Sequence, residues 1–356
     1  MKILHVITSL RTGGAEKLMV DLLPRLKSGG LDVDLLLFDG IDTSFRQHVE
    51  ENGVKVYDLG VGGSVYSPLK FFKLLPYLRK YDIIHTHNTS PQLFAALGSI
   101  FSKARLITTE HNTSNRRRAW KWYRYIDRWM YNRYSSVICI SNQAEKNLRD
   151  FIKRSCANIC IIKNGVDIER FVSVRQSSLL DEIAPKSKKL IMVAGFRPQK
   201  DQGTVIEAMK QLPENFHLFL VGDGACRDRI EVLTKKESLS DRVHFLGIRN
   251  DVSELLHASD YVVMSSHYEG LSLSSVEGMC VGKPFLASDV DGLREVVEGA
   301  GILFPHEDAK TLANEIIKLE NNTEQYRMVA EKCMERAKQY DISYMVEDYI
   351  KTYKSL

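Results

Sequence analysis

The feature that most limits what this chain can fold into is the rhythm of its apolar residues. Short apolar runs such as Lys2–Thr8 and Leu31–Phe38 alternate with amphipathic stretches such as Ala15–Lys27 from one end to the other. Uninterrupted apolar runs suit strands covered on both faces, and the amphipathic stretches between them are the crossovers that parallel strands require. The spacing predicts strands at Lys2–Thr8, Leu31–Phe38, Lys55–Leu59, Asp82–Thr86, Leu106–Thr109 and Val137–Ser141. Helices are expected at Ala15–Lys27, Pro68–Arg79, after Pro91, near Trp120–Tyr134 and at Gln143–Ile152. A second series begins at strand Leu190–Ala194 and runs through strands His217–Val221, Val243–Leu246, Tyr261–Ser265 and Phe285–Ala287. Its helices are Thr204–Gln211, Arg227–Lys236, Val252–His257 and Ser272–Cys280, and the tail from Ala309 reads as helical. The 356 residues exceed one core of roughly 100 to 200 residues. The expected fold is therefore α/β, with two Rossmann-like doubly wound domains at 1–170 and 171–339. A hinge is expected near residue 170, and polar Ser177–Lys189, with Pro185, suits an interdomain connection. Doubly wound sheets bind ligands at strand carboxyl ends, so the expected site is a crevice between facing sheet edges.

Composition excludes other classes. Hydrophobic residues at 44% and charged residues at 26% match a soluble folded chain and exclude disorder and collagen-like repeats. The longest apolar stretches, such as Leu93–Phe101, fall short of the ~20 residues a membrane span needs. Met1-Lys2 leads straight into a strand with no leader, giving the expectation of a cytosolic protein. Cys139, Cys156, Cys160, Cys226, Cys280 and Cys333 form no CxxC sets and read as reduced structural thiols. A net charge of +4 is too mild to imply nucleic acid.

Three strand-to-helix turns carry the chemistry. The first, Gly13-Gly14-Ala15-Glu16, lets backbone N–H groups approach an anion, but lacks the G-x-G-x-x-G spacing of a dinucleotide fingerprint. Gly222-Asp223-Gly224 has Arg227 at the third glycine, which disfavours a nicotinamide enzyme. The second turn, Gly195-Phe196-Arg197-Pro198-Gln199-Lys200, offers two cations that can hold a diphosphate without metal; a plain charged surface loop is the alternative. The third spans Ser265 to Cys280: Glu269 stands in a loop, Ser272, Leu273 and Ser274 open a helix with free N–H donors, and Glu277 lies a turn further on. The alternative makes Glu277 a solvated helix residue and the serines mere caps.

Together these residues resemble the retaining glycosyltransferases of family 4, which have the two-domain GT-B fold. The resemblance covers nearly the whole chain. Its carriers are Gly13-Gly14-Ala15-Glu16, His85-Thr86-His87, Thr109-Glu110-His111, Asn164-Gly165-Val166-Asp167, the Arg197/Lys200 loop, Val221-Gly222-Asp223-Gly224, Leu246-Gly247 with Asp251, and Glu269 to Glu277 followed by Gly282-Lys283-Pro284. It implies a nucleotide-sugar donor held mostly by the second domain and a saccharide or lipid-linked saccharide acceptor held mostly by the first. By the same resemblance Glu277 would bind ribose hydroxyls, Ser272–Ser274 amides and Gly14 the diphosphate, Glu269 the donor sugar, and His111 would lie near that sugar. It also implies that the final helix, Ile342–Lys354 within 340–356, crosses back onto the first domain. The family's phosphate-binding arginine falls where Gly195 stands, so reach alone nominates Arg197 as its substitute.

His85, His87 and His111 end neighbouring strands on one side, and buried hydrogen-bonded histidine is preferred there over a metal site. Next comes a basic aromatic segment, with Arg116, Arg117, Arg118, Trp120, Lys121 and Trp122 suited to an anionic membrane surface or a pyrophosphate-bearing acceptor. Its rival is a buried crossover face of Trp122, Ile126 and Trp129; nucleic acid ranks lower because no recognised nucleic-acid module is present. The expected activity is retaining transfer of a hexosyl group from a nucleotide-diphosphate sugar, such as a UDP-sugar, in bacterial surface-polysaccharide assembly such as capsule or O-antigen. No divalent metal or other cofactor is expected, and the protein would sit peripherally on the inner face of the cytoplasmic membrane. A UDP-sugar epimerase of similar shape, a non-catalytic nucleotide-sugar sensor and a metal-dependent hydrolase stay open as alternatives.

Overall fold

The computed structural model describes residues 1–11, 13–111, 120, 122–153 and 158–356. They form two units, Met1–Asn164 with Ile342–Leu356, and Gly165–Asp341.

The first unit is a seven-stranded sheet in the order β3-β2-β1-β4-β5-β6-β7, all neighbours parallel. Its strands are β1 (Lys2–Ile7), β2 (Asp32–Leu37), β3 (Lys55–Asp58), β4 (Ile83–His87), β5 (Arg105–Glu110), β6 (Ser136–Cys139) and β7 (Ile159–Ile161). Side-chain alternation divides the sheet between two cores. Ile3, Ile7, Val33, Leu35 and Leu37 pack with helices Gly14–Ser28 and Ile342–Lys354. Leu4, Val6, Leu36, Phe38 and Ile84 face the other way, toward helices Pro68–Leu78 and Thr89–Gly98. Helix Gly14–Ser28 buries Leu18, Leu22 and Leu26 at four-residue spacing and stops at Gly29-Gly30, where Gly30 takes φ 85°. Between β2 and β3 lies a helix the apolar pattern does not announce, Ser44–Glu51, started by Thr43 accepting from the Arg46 amide. It buries only Val49, too little to leave a helical period in the sequence.

The second unit is a six-stranded parallel sheet in the order β10-β9-β8-β11-β12-β13. Its strands are β8 (Lys188–Val193), β9 (Phe216–Val221), β10 (Val243–Gly247), β11 (Tyr261–Met264), β12 (Phe285–Ser288) and β13 (Ile302–Phe304). The chain passes between units at Asn164/Gly165 and Asp341/Ile342, where the sequence suggested 170/171 and 339/340. Ser177–Lys189 is not a free connection: it contains helix Leu179–Ile183, and Phe171, Leu180 and Ala184 are buried in the second unit's core. Ile342, Met345, Tyr349 and Tyr353 of the final helix are buried in the first unit. Among the described residues no cysteine is in a disulfide: Cys139, Cys280 and Cys333 are buried, Cys160 and Cys226 are partly buried, and Cys156 lies outside the described residues. Among the described residues no helix is long and apolar enough to cross a membrane.

The first unit also buries ionisable rings. His5, His85 and His87 are wholly inaccessible. Burial lowers the pKa of His5 to about 3 and of half-buried His111 to about 4, and holds His85 and His87 well below the usual value, with neighbouring rings adding to the shift. Between pH ~6.5 and ~4 the unfolded chain therefore binds protons that the folded unit refuses, so stability rises with pH across that window and levels off above it. Thermal unfolding followed from pH 4.5 to 7.5 should show Tm climbing to near pH 6.5, with up to ~1.4 kcal/mol per pH unit for each such histidine. Met345→Ala should cost the first unit ~2–5 kcal/mol in denaturant unfolding, the range for emptying a core site.

Candidate functional site

In the second unit the loops after β8 and β9 clamp each other at the carboxyl end of the sheet. The Phe196 amide donates to the Asp223 carbonyl (3.0 Å), and the Cys226 amide to the Phe196 carbonyl (3.0 Å). Gly222 (φ 135°) and Gly224 (φ 153°) allow this closeness, because a Cβ on either would collide with the Ala194 or Phe196 carbonyl. The Gly222 amide is already used, donating to the Gly247 carbonyl (2.8 Å), so this expected donor-binding glycine shapes the loop with its backbone.

Lys200 is placed by the next residue. Asp201 caps helix Gln202–Met209 through the Thr204 amide (3.1 Å) and accepts from the Ser265 hydroxyl (2.8 Å), while its own amide donates to the Ser265 carbonyl (3.0 Å). The loop is thereby fastened to the end of β11, and the Lys200 ammonium forms an ion pair with the Glu269 carboxylate. The two side chains are only 10% and 9% exposed, and the Ser266 hydroxyl donates to the same carboxylate oxygen (2.8 Å). Lys200, expected at phosphate, and Glu269, for which the resemblance implies the donor sugar, are thus each other's partner. Gly292 holds the Glu269 loop from behind, since a Cβ there would collide with the Glu269 and Gly270 carbonyls.

Arg197 is exposed and, among the described residues, has no ion-pair or hydrogen-bond partner for its side chain. Its Nε lies 3.6 Å from where a Cβ on Gly195 would stand, so its side chain runs beside that glycine. The helix expected at Ser272–Cys280 is shorter, Leu273–Met279, with Ser272 as N-cap and its hydroxyl against that of Ser274 (3.2 Å). Glu277 is buried at 8% exposure, which removes the reading of it as a solvated helix residue. The Ser275 hydroxyl, not singled out by sequence, is buried with no partner among the described residues.

In the first unit, Gly13 is the extended N-cap of helix Gly14–Ser28. A Cβ on Gly13 would collide with the Glu16 carboxylate, whereas Gly14 faces open space. The helix N-terminus expected to take a diphosphate is thus already approached by a carboxylate from its own first turn. His111 follows β5, its Nε2 hydrogen-bonded to His87 Nδ1 (2.9 Å) and its Nδ1 buried and, among the described residues, without a partner. Its neighbour Glu110, quoted only as part of a motif, is buried and accepts from Gln92 (2.6 Å) and the Tyr131 hydroxyl (2.6 Å). Nothing but an isolated carboxylate at a strand end marked it beforehand.

Arg116, Arg117, Arg118 and Lys121 lie outside the described residues. Trp120 and Trp122 are 58% and 59% exposed and stack with planes 5° apart, so Trp122 is not part of a buried crossover face. Trp129 packs partly against the core beside Tyr131 and Met130. Two groups among the described residues have the composition of a metal site: buried His5, His85 and His87, and exposed His267, His306 and Glu307. Every ring nitrogen of the buried group is already hydrogen-bonded, which leaves no lone pair for an ion without breaking a bond.

Comparison with known proteins assigns both units. Residues 12–170 match the model of Glycosyltransferase Family 4, and residues 181–338 match that of Glycosyl transferases group 1. An Escherichia coli protein named UDP-Gal:alpha-D-GlcNAc-diphosphoundecaprenol alpha-1,3-galactosyltransferase is 24% identical over 342 residues, 90% of this chain and 88% of its own. A Campylobacter jejuni protein named N,N'-diacetylbacillosaminyl-diphospho-undecaprenol alpha-1,3-N-acetylgalactosaminyltransferase is 29% identical over 205 residues, 55% of this chain and 54% of that one. The crystal structure of Anabaena HepE in complex with UDP has a TM-score of 0.87 at 25% identity, with 100% of each chain covered. With the two matches following one another through both units, the chain belongs to the glycosyltransferases of the GT-B fold, Family 4 in its first unit and group 1 in its second.

Proposed function

We propose that the protein moves a hexosyl group from a UDP-sugar to a hydroxyl of a lipid-carrier-linked saccharide, with retention at the anomeric carbon and no divalent metal. The observation that carries this reading is the Lys200–Glu269 pair at the end of β11, on the segment that leads to buried Glu277. The difficult step is departure of the nucleotide diphosphate, so the enzyme must stabilise charge growing on the leaving oxygen. When donor enters, Lys200 exchanges the carboxylate for a phosphate oxygen, and Arg197, free of side-chain partners among the described residues, supplies the second cation. Glu269, released, accepts from hydroxyls of the donor sugar, and Glu277 from the ribose. In the first unit His111 offers its unpartnered Nδ1 to an oxygen of the sugar or acceptor.

Support for the donor comes from HepE, which was solved with UDP, and from the E. coli relative, whose name specifies UDP-Gal. The names of both relatives specify diphosphoundecaprenol-type acceptors and alpha-1,3 linkages; since UDP-galactose is α-linked at its anomeric carbon, the E. coli relative's named reaction is one of retention, and the same chemistry is proposed here. The exposed, stacked Trp120 and Trp122 suit a headgroup layer, where such an acceptor resides.

The test is transfer of labelled sugar from UDP-hexoses to a bacterial lipid extract, preceded by a thermal-shift panel of UDP, GDP and UDP-sugars. Lys200→Ala should lower kcat by roughly 10²–10³-fold, as loss of one donor to a developing oxyanion does. Glu277→Ala should raise donor KM by roughly 10–100-fold, the loss of charged hydrogen bonds at ~1.5–3 kcal/mol. Activity should survive EDTA. Equal, small effects of both substitutions would contradict the assignment, product formed without acceptor would indicate an epimerase, and binding without turnover a sensor.

A further inference from the structure

The register of the first sheet brings five polar side chains to one face. His5 of β1 lies opposite His85 of β4, and His87 opposite Thr109 of β5, with His111 two residues beyond Thr109. The final helix lowers Tyr349 and Tyr353 onto them. The hydrogen bonds form one unbranched line. Tyr349 hydroxyl meets Thr109 Oγ1 (3.2 Å), which meets His85 Nε2 (2.8 Å); His85 Nδ1 meets the Tyr353 hydroxyl (2.6 Å). That hydroxyl meets His5 Nε2 (3.1 Å), His5 Nδ1 meets His87 Nε2 (3.0 Å), and His87 Nδ1 meets His111 Nε2 (2.9 Å).

The line has seven members and six links. Each member holds one exchangeable proton when its ring is neutral, and burial keeps all four imidazoles neutral by lowering their pKa. Seven protons serve six links, and a surplus proton turned out of the line at the buried Thr109 or Tyr353 hydroxyl would, among the described residues, meet no acceptor, so all members donate in the same direction and the four rings share one tautomer. The one surplus proton then stands at an end. At the closed end, the Tyr349 hydroxyl has no exposure and, among the described residues, Thr109 as its hydrogen-bond partner, so a proton there finds no acceptor. At the other end, His111 stands at the tip of β5 with its Nδ1 buried and, among the described residues, without a partner, so an oxygen of substrate bound there is the acceptor that the Tyr349 end lacks.

We propose that this line orders its protons toward His111, fixing His5, His85, His87 and His111 as Nδ1–H tautomers, so that His111 presents a preset N–H donor to substrate. His5, His87 and Tyr353 are positioning residues, and their effect on turnover rests on the reading of His111 as substrate-facing. The line reaches from the last helix of the chain to the substrate-facing ring with no ionised group along it.

Histidine tautomers are read from long-range ¹H–¹⁵N correlations of ¹⁵N-histidine-labelled protein without ligand. The expected result is Nδ1–H at all four rings. Tyr353→Phe keeps the ring and removes the central hydroxyl, so His111, three links away, should gain Nε2–H; a merely structural role would shift Tm and leave that tautomer alone. The same variant should lower kcat by about tenfold or more, within the ~10⁴ that a wrong tautomer costs a Ser-His-Asp triad, while donor KM stays within about twofold. Nε2–H at His111 in the wild type, unlike tautomers among the four rings, or a His111 tautomer or kcat indifferent to Tyr353→Phe would overturn the proposal. If the variant does not fold, the wild-type spectrum decides alone. A failed transferase reading looks different: an intact tautomer pattern in a protein that transfers no sugar.

Discussion

A parallel strand covered on both faces has no room for an unpaired polar side chain, and this constraint organises both units. In the second sheet the strands are mostly apolar, the His217–His244 pair of β9 and β10 being bonded ring to ring, and the site's charges collect beyond the strand ends. Asp201, Glu269 and Lys200 all stand just past the ends of β8 and β11, and each is tied to a neighbour by backbone or side-chain bonds. The ion pair is the outcome with the most chemical meaning. A cation and an anion nearly out of water stabilise each other only while both remain, and a polyphosphate is a rival anion that such a cation can accept in exchange.

The first sheet breaks the rule and shows what breaking it requires. Three imidazoles sit in strands at no exposure, tolerable because every one of their ring nitrogens has a partner. The partners come from another β-strand and from the terminal helix, so the polar line is bordered by Ile3, Ile7, Ile83 and Ile107 of the apolar core on the same face. The unsatisfied atom stands at the strand end, where ligands of doubly wound sheets approach.

Much of this was legible beforehand. The twofold alternation of strands and helices, the glycines that let loops touch, and the spacing of Glu269 and Glu277 are all local, and local patterns survive in a sequence. What escaped depends on distant partners. Helix Ser44–Glu51 buries one residue and so leaves no period, and β13 is three residues long. Glu277 reads as polar in a helix, and only the fold shows it buried. The pairing of Lys200 with Glu269 spans 69 positions, and the meeting of His85 with Tyr353 spans 268; neither has a trace in the residues between them.

The first unit is assembled from two segments that flank the second, Met1–Asn164 and Ile342–Leu356. A ribosome delivers its seven strands early, but the tyrosines that close the histidine line arrive only after the entire second unit has been made. Until then His5 Nε2 and His85 Nδ1 lack the Tyr353 hydroxyl and the face under helix Ile342–Lys354 is bare, so the nascent first unit waits on a helix made after the second unit. Synthesis of helix Ile342–Lys354 is thereby written into the interior of a unit whose strands are made much earlier, and a chain cut short before that helix carries an open apolar face.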